Sequence, residues 1–255
     1  MKTGFESRQG RNITVAEYHH HYGAKLIEGR PNPRPQVICP ACRGALHTVG
    51  EADLVDATWA HNPTSTLCPI KDSGKSRYEL LPPKVPVPAH AIALRERFFR
   101  NWRRHWSFAR SLADFAGIED LIGFIQHADR TGLWGHATLD EWHLPYVFLA
   151  TCEFKPPKGK ARSRRPEWLR FRFDSRLRTI EDLWIRIFPD VKFLKLKYRA
   201  PRSGVPTAGH YIDSELFDLD AAWMRTHVPD VPHAYALKKM HGAFTIELGA
   251  LPVKI

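Results

Sequence analysis

Four potential metal ligands lie close together near the start of the chain. Cys39 and Cys42 form a C-x-x-C pair, eighteen residues separate Cys42 from His61, and six more separate His61 from Cys68. A C-x-x-C turn presents two thiolates to one ion at low strain, and zinc prefers four nitrogen and sulfur ligands in a tetrahedron. The spacing therefore predicts one structural Zn²⁺ held by these four side chains, with a small module folded around it.

The rest of the cysteine pattern favours metal binding over disulfide formation. The chain has four cysteines, three of them in this cluster, a pattern that indicates metal in a reducing compartment such as the cytoplasm. A closed set of four ligands is typical of structural zinc. His47 stays open as an alternative to His61, and Gly44 is expected to let the backbone fold back beneath the metal. Cys152, in an apolar run, is expected to be a buried thiol.

A family resemblance rests on this cluster. The strings C-P-A-C at 39–42 and W-A-H at 59–61, followed by Cys68, resemble the N-terminal zinc-finger module of CoiA-like competence proteins. That family has C-P-x-C, an H-F-A-H-like patch and a further cysteine, whereas this chain has Thr-Trp at 58–59 where His-Phe is usual. The resemblance covers about 30 of 255 residues. It implies the same four ligands and a role in DNA metabolism. Together with the charge of the chain, it leads us to predict a component of a bacterial defence, competence or mobile-element system.

The charge of the chain indicates a polyanionic partner. Lys and Arg number 38 against 27 Asp and Glu, for a formal net charge of +11. No apolar run approaches the roughly 20 residues of a spanning helix, and residues 1–20 lack the apolar core of a signal peptide. We therefore expect no membrane partner and predict a cytoplasmic protein that binds nucleic acid, DNA rather than RNA alone. Membership of a larger complex, such as an RNA-guided effector, is one version of this prediction.

The positive charge is concentrated in a few places. Ten basic and two acidic residues fall between Phe154 and Arg178. Side chains alternate along a strand, so every second residue shares a face, and this alternation predicts a basic sheet face beside a basic loop. The predicted nucleic-acid-binding side chains are Lys158, Lys160, Arg162, Arg164 and Arg165 in the loop, Arg170, Arg172, Lys195 and Lys197 on strands, and Arg100, Arg103 and Arg104 on a long helix.

The predicted fold class is α+β: a small N-terminal zinc-finger module, then a helical segment, then a mixed or antiparallel sheet with a basic face. A proline-rich stretch marks the boundary between module and body. The predicted domains are an irregular segment at 1–35, the zinc-finger module at 36–81, the connector at 82–89 and an α+β nucleic-acid-binding domain at 90–255.

Hydrophobic periodicity predicts the elements of the body. A long amphipathic helix is expected to end at Gly117, and a continuous apolar run at 144–154 is expected to form a buried strand. The predicted helices are 89–116, 118–128, 179–187 and 214–227, and the predicted strands are 144–154, 168–173, 192–199 and 243–248.

Two other function classes stay open. A restriction-endonuclease-like nuclease needs an acidic residue followed by Glu-x-Lys on a strand, so that carboxylates hold a divalent metal and lysine orients water. Asp140, Glu153 and Lys155 follow that order, although two prolines at 156–157 end the strand at once and only one clear strand fits between the two acids. The other alternative is a zinc-stabilised protein–protein adaptor.

Overall fold

The computed structural model describes residues 1, 3–62, 68–71, 79–157, 166–185 and 191–244. Within these ranges the chain forms an α+β fold, as predicted, with both helices and antiparallel sheets. The strands are β1 (Thr3–Glu6), β2 (Arg11–Thr14), β3 (Leu26–Ile27), β4 (Arg30–Pro31), β5 (Val37–Ile38), β6 (Leu46–Val49), β7 (Thr58–His61), β8 (Glu153–Phe154), β9 (Glu167–Phe173), β10 (Lys192–Arg199) and β11 (Tyr211–Asp218). The α-helices are α1 (Val15–Tyr22), α2 (Pro88–Leu112), α3 (Ile118–Thr131), α4 (Leu144–Thr151), α5 (Asp182–Ile185), α6 (Trp223–Thr226) and α7 (Ala234–Ala243). Each of the helices in these ranges is too short or too polar to cross a lipid bilayer.

The chain folds into two units, each assembled from separate stretches of sequence. The division differs from the four segments that the sequence suggested, because the strands β8 to β11 belong with the N-terminal residues. The first unit is Met1–Gly74, Glu153–Arg176 and Val191–Phe217, and the second is Lys75–Cys152, Leu177–Asp190 and Asp218–Ile255.

The N-terminal segment of the first unit, which we predicted to be irregular, contains strands and a helix. Thr14 begins α1 with a capping box: its hydroxyl accepts from the Glu17 N–H at 3.2 Å, and the Glu17 carboxylate accepts from the Thr14 N–H at 2.8 Å. Strand β1 lies between β2 and β5. The Trp59 indole donates to the Ile13 carbonyl at 2.9 Å, which joins β7 to β2.

One core serves both the N-terminal strands and the four-stranded sheet, whose strand order is β11-β10-β9-β8. Ile13, Val37 and Trp59 pack in the same buried cluster as Leu194 and Tyr198 of β10. Burial of these large side chains removes apolar surface from water, at about 25 cal/mol per Å². The sheet is therefore an integral part of the N-terminal unit.

The second unit is mainly helical. Buried positions Leu94, Phe98, Trp102 and His105 recur along α2 at steps of three and four, which is the period of one helix face. The helix ends at Leu112, earlier than predicted, and Gly117 is the N-cap of α3.

The prediction of a buried strand at 144–154 is wrong for most of its length. Residues 144–151 form α4, which is buried on all sides, and only β8 is extended. A continuous apolar run fits a buried helix as well as a buried strand. Pro145 in the first turn and the Thr151 hydroxyl, which donates to the Val147 carbonyl at 3.0 Å, both suit the helix.

Some of the predictions for the other elements are confirmed and others are wrong. Residues 182–185 form α5, inside the predicted helix at 179–187. The predicted helix at 214–227 is wrong in its first half, since residues up to 218 belong to β11 and only 223–226 are helical. The strands β9 and β10 lie where the alternating patterns placed them. Of the predicted strand 243–248, residue 243 ends α7 and 245–248 lie outside the described residues.

Close packing in the first unit leaves little room for a side chain at Gly4. A methyl group on Gly4 would lie 2.5 Å from Val37 Cγ1 and 2.9 Å from Leu46 Cδ1. We expect Gly4→Ala to destabilise the first unit by about 1–3 kcal/mol. The matched control is Gly123→Ala in the middle of α3, where the added methyl meets no described atom within 4 Å and should stabilise by about 0.5–1 kcal/mol. Native-state hydrogen exchange on β1 and α3 measures both effects, and unchanged protection of β1 in Gly4→Ala would contradict the close approach.

Candidate metal centre

Cys39 and Cys42 lie on a tight turn that follows β5. The Arg43 N–H donates to the Cys39 carbonyl at 2.8 Å, and the Cys39 N–H donates to the Gly44 carbonyl at 2.9 Å. We predicted that Gly44 would provide the reversal, but Arg43 takes the left-handed backbone conformation, with φ of 60°. This conformation is uncommon for a residue with a side chain, and it occurs directly after Cys42, where the chain reverses.

His61 and Cys68 reach the same point from different elements. His61 is the last residue of β7 and pairs with Leu46 of β6 in an antiparallel hairpin. Cys68 lies on a turn in which the Lys71 N–H donates to the Cys68 carbonyl at 2.9 Å. Backbone hydrogen bonds at the two turns and in the hairpin thus help to position the ligands without a contribution from the metal.

The geometry of the four side chains fits one tetrahedral ion. Cys39 Sγ and Cys68 Sγ are 3.6 Å apart, Cys42 Sγ and His61 Nε2 are 3.4 Å apart, and all four ligand atoms lie within 4.8 Å of one another. Ligands at about 2.3 Å (sulfur) and 2.0–2.1 Å (nitrogen) from a central zinc would be separated by roughly 3.5–3.8 Å. Cys39, His61 and Cys68 are buried, so the site is closed.

The thiols influence one another strongly. Hydrogen bonds from Cys39 and Cys68 hold the pKa of the Cys42 thiol far below its usual range. Hydrogen bonds to Cys42 and Cys68, together with burial, raise the pKa of Cys39 far above its usual range. The shifts have opposite directions because a thiolate at one sulfur is favoured by hydrogen bonds from its neighbours and opposes ionisation of those neighbours. A bound cation compensates the repulsion between thiolates and allows all three to ionise.

The choice between His47 and His61 is resolved by strand alternation. His61 is in the four-residue cluster, whereas His47 is exposed on β6 and its Nδ1 lies 3.1 Å from Asn62 Oδ1. His47 and the buried Leu46 are neighbours on one strand and must face opposite sides.

Two contacts tie the cluster to the rest of the first unit. Ser175 donates its N–H to the Ala41 carbonyl at 3.2 Å and its hydroxyl to the Cys42 carbonyl at 3.4 Å. The Tyr198 hydroxyl lies 3.5 Å from the Ile70 carbonyl, two residues beyond Cys68. Neither contact could be predicted from the sequence, because in each one the two residues are more than 120 positions apart along the chain.

The predicted basic face of the sheet is wrong, because its members point to opposite sides. The antiparallel register places Arg170 opposite Leu196, and Arg172 opposite Leu194. Side chains of directly opposed residues share a face, so both arginines face the core. Their side chains are 1% and 2% exposed, and they are unable to contact a phosphate on the surface.

The other predicted nucleic-acid ligands differ in their surroundings. Lys195 and Lys197 lie on the opposite face of the sheet and form ion pairs with Glu215 of β11. On α2, Arg100 and Arg103 are exposed, whereas Arg104 donates to the Met224 carbonyl at 2.9 Å. The loop residues Lys158, Lys160, Arg162, Arg164 and Arg165 lie outside the described residues, but β8 and β9, which they connect, are antiparallel neighbours.

The candidate nuclease residues do not form a metal-binding group in the described structure. The Glu153 carboxylate accepts from the Trp168 indole at 2.7 Å, from Arg170 Nε at 2.8 Å and from an Arg172 amino group at 3.1 Å. Lys155 is exposed, with its Nζ 5.4 Å from the centroid of the Trp168 ring. Asp140 belongs to the second unit, where its side chain is 63% exposed. Glu153 thus has the environment of a structural carboxylate.

Comparisons of the chain with protein-family models, with curated proteins and with solved structures each gave no match. Function must therefore be inferred from the fold and from the geometry of the site.

Loss of a single ligand should abolish metal binding. We expect Cys39→Ser, Cys42→Ser and Cys68→Ser to lose the bound metal, whereas His47→Ala keeps about one equivalent, as a four-ligand site requires. Elemental analysis of the purified proteins measures the content. Because Cys39 and Cys68 share a core with β9 and β10, chelation should also remove hydrogen-exchange protection from these strands and leave α2 protected. Unchanged protection of β10 after chelation would contradict the coupling.

The hydrogen bonds of Glu153 with Trp168, Arg170 and Arg172 lead to a separate prediction about stability. Glu153→Gln leaves two buried guanidinium groups without their carboxylate and should destabilise the first unit by about 3–5 kcal/mol. Asp140→Asn is the control: the Asp140 side chain caps a short helical turn by accepting from the Glu141 N–H at 2.7 Å. Asparagine can accept the same hydrogen bond, so this variant should change stability by less than about 1 kcal/mol. Urea unfolding measures both. A stable Glu153→Gln protein that had lost a Mg²⁺-dependent cleavage activity would instead support the nuclease alternative.

Proposed function

We propose that the chain is a zinc-stabilised protein that binds nucleic acid, with one Zn²⁺ held by Cys39, Cys42, His61 and Cys68. The observation that carries the zinc assignment is the convergence of all four ligand atoms within 4.8 Å in a buried site. Three sulfurs and one imidazole, with no carboxylate among them, suit zinc better than magnesium, calcium or manganese, which prefer oxygen. The ion has a structural role, because four protein ligands leave no open position for a substrate.

The binding surface in this proposal is the basic loop between β8 and β9. Five of its eight residues at 158–165 are Lys or Arg. Its flanking strands pair through Glu153 with Arg170 and through Phe154 with Leu169. Arg170 of β9 donates to Glu153 of β8 at 2.8 Å, which joins the two flanking strands where they pair. The net charge of +11 adds a long-range attraction to a polyanion.

A second basic patch, in the second unit, is a separate candidate contact for nucleic acid. Arg100 and Arg103 are exposed on α2, and the guanidinium of Arg103 lies 5.8 Å from the centroid of the Trp102 ring. Arginine binds phosphate with two parallel hydrogen bonds, so exposed arginines suit this role. The ion-paired Lys195 and Lys197 contribute less, because Glu215 already neutralises part of their charge.

The resemblance to CoiA-like competence proteins extends the proposal to DNA and to a bacterial defence, competence or mobile-element system, alone or as a subunit of an RNA-guided effector. The nuclease alternative has less support, because arginines and an indole already occupy the Glu153 carboxylate. An adaptor that uses the same surface on an acidic protein is the remaining alternative.

The loop should account for most of the salt dependence of binding. We expect fluorescence anisotropy with labelled duplex DNA to show affinity that falls steeply with salt, with a log–log slope of about 0.9 per phosphate contact. Replacement of all five basic loop residues by Gln should reduce this slope by up to about 4.5 and weaken binding by about tenfold or more. The charge-matched control replaces five exposed cations elsewhere in the first unit, namely Arg8, Lys25, Arg30, Lys71 and Arg202.

The same titration separates the three function classes. Equal weakening by the loop variant and the control would contradict a localised site. Absence of binding at low salt to duplex DNA, single-stranded DNA and RNA would favour the adaptor. Strand cleavage in the presence of Mg²⁺, seen on a denaturing gel, would favour the nuclease.

A further inference from the structure

The segment at 227–233, between α6 and α7, exposes two valines that serve no packing role in the described chain. Val228 is 81% exposed and Val231 is 90% exposed. Scattered exposed apolar residues are ordinary, but these two stand three residues apart in a Val-Pro-Asp-Val-Pro sequence. We refer to residues 227–233 as the Val-Pro segment.

The two ends of the Val-Pro segment have polyproline II backbone geometry, and its prolines favour the same geometry between them. His227 at its start has φ −77° and ψ 120°, and His233 at its end has φ −58° and ψ 147°. These values lie near the polyproline II average of about −75° and +145°. The rings of Pro229 and Pro232 hold φ near −65°, and the residue before each proline is restricted to extended conformations.

Burial along the segment repeats every three residues, which matches the three residues per turn of polyproline II. Val228 and Val231 are exposed, whereas Pro229 is half-buried and Pro232 is buried. Asp230, between these pairs, is exposed. The prolines therefore pack inward, and the valines form an outward ridge with a spacing of about 9 Å.

A buried hydroxyl of α2 holds the segment in place. Ser107 is 3% exposed, and its Oγ accepts from the Asp230 N–H at 2.9 Å. The same Oγ lies 3.0 Å from Nε2 of His227. The Val-Pro segment is thus ordered in advance, which lowers the entropy cost of docking to another molecule.

The hydrogen-bonding groups of the segment define what could cover it. Pro229 and Pro232 have no N–H, and the Asp230 N–H is already used by Ser107. Within the ranges that the structure describes, the carbonyls of residues 228–232 accept no hydrogen bond. The segment therefore offers acceptors and methyl groups, so a partner must supply donors and apolar surface together. Tryptophan and tyrosine side chains do both, and grooves lined by them recognise polyproline II peptides.

We infer that the Val-Pro segment is a docking peptide for a protein partner, which receives Val228 and Val231 in a groove lined by tryptophan or tyrosine. This interaction is separate from the metal centre and from the basic loop, both of which belong to the first unit.

Site-specific cross-linking tests this inference in the organism that encodes the chain. Val231→p-benzoylphenylalanine places a photo-reactive group on the ridge, and Val55→p-benzoylphenylalanine is the control, since Val55 is 86% exposed in the first unit. Nuclease treatment before purification removes partners bridged by nucleic acid. We expect position 231, and not position 55, to cross-link a protein at a peptide that lies beside a tryptophan or tyrosine in the partner's folded structure.

Binding of the purified full chain to that protein then measures the contribution of the ridge. The double variant Val228→Thr with Val231→Thr keeps the side-chain shapes and should weaken the affinity by about tenfold, because it replaces one buried methyl at each site with a hydroxyl. Val55→Thr should leave the affinity unchanged. Absence of a cross-link above the position 55 control, a cross-linked site without nearby tryptophan or tyrosine, or equal affinity of the double threonine variant would each overturn the inference. Cross-linking to a second copy of this chain would also overturn it and would indicate self-association.

Discussion

The convergence of three sulfurs and one imidazole on a single point is the constraint on which the first unit depends. The ligands come from a turn after β5, from the end of β7 and from a separate turn at Cys68, and local hydrogen bonds fix each of these pieces. Repulsion between three thiolates packed so closely opposes their joint ionisation, and the pKa of Cys39 is accordingly raised while that of Cys42 is lowered. A bound metal ion would supply the positive charge that compensates the three thiolates.

The ligands could be predicted from sequence because their signal is chemical and local. A C-x-x-C pair with a histidine and a third cysteine at moderate spacing matches the ligand set of structural zinc closely. The orientation of Arg170 and Arg172 could not be predicted in the same way. Alternation of Arg and Phe in β9 indicates one apolar and one polar face, but in the structure both faces are buried, so the arginine face is covered as well. The cover on the arginine face includes the N-terminal strands, which are more than 100 residues away in the chain.

The helix α4 illustrates a second limit of sequence patterns. Period-2 and period-3.6 patterns separate strands from helices only where one side of the element is polar. Residues 144–150 are buried on every side, so no periodicity exists to identify the element. Similarly, the exposed valines of the Val-Pro segment are recognisable only in the structure, because proline-rich sequence alone does not reveal which side of a polyproline II turn faces the protein.

Burial of two arginines beside one glutamate has a consequence for the core of the first unit. Glu153 compensates one of the two positive charges, so the group as a whole keeps a net positive charge. With a divalent cation bound, three thiolates leave the metal cluster with one net negative charge. The Tyr198 phenol is buried near both groups: burial raises its pKa, the charges of Arg170 and Arg172 lower it, and a charge on Cys68 raises it. Opposite net charges inside one low-dielectric core stabilise each other. We therefore expect metal binding and formation of the sheet to be one cooperative event, since each charge is costly to bury without the other.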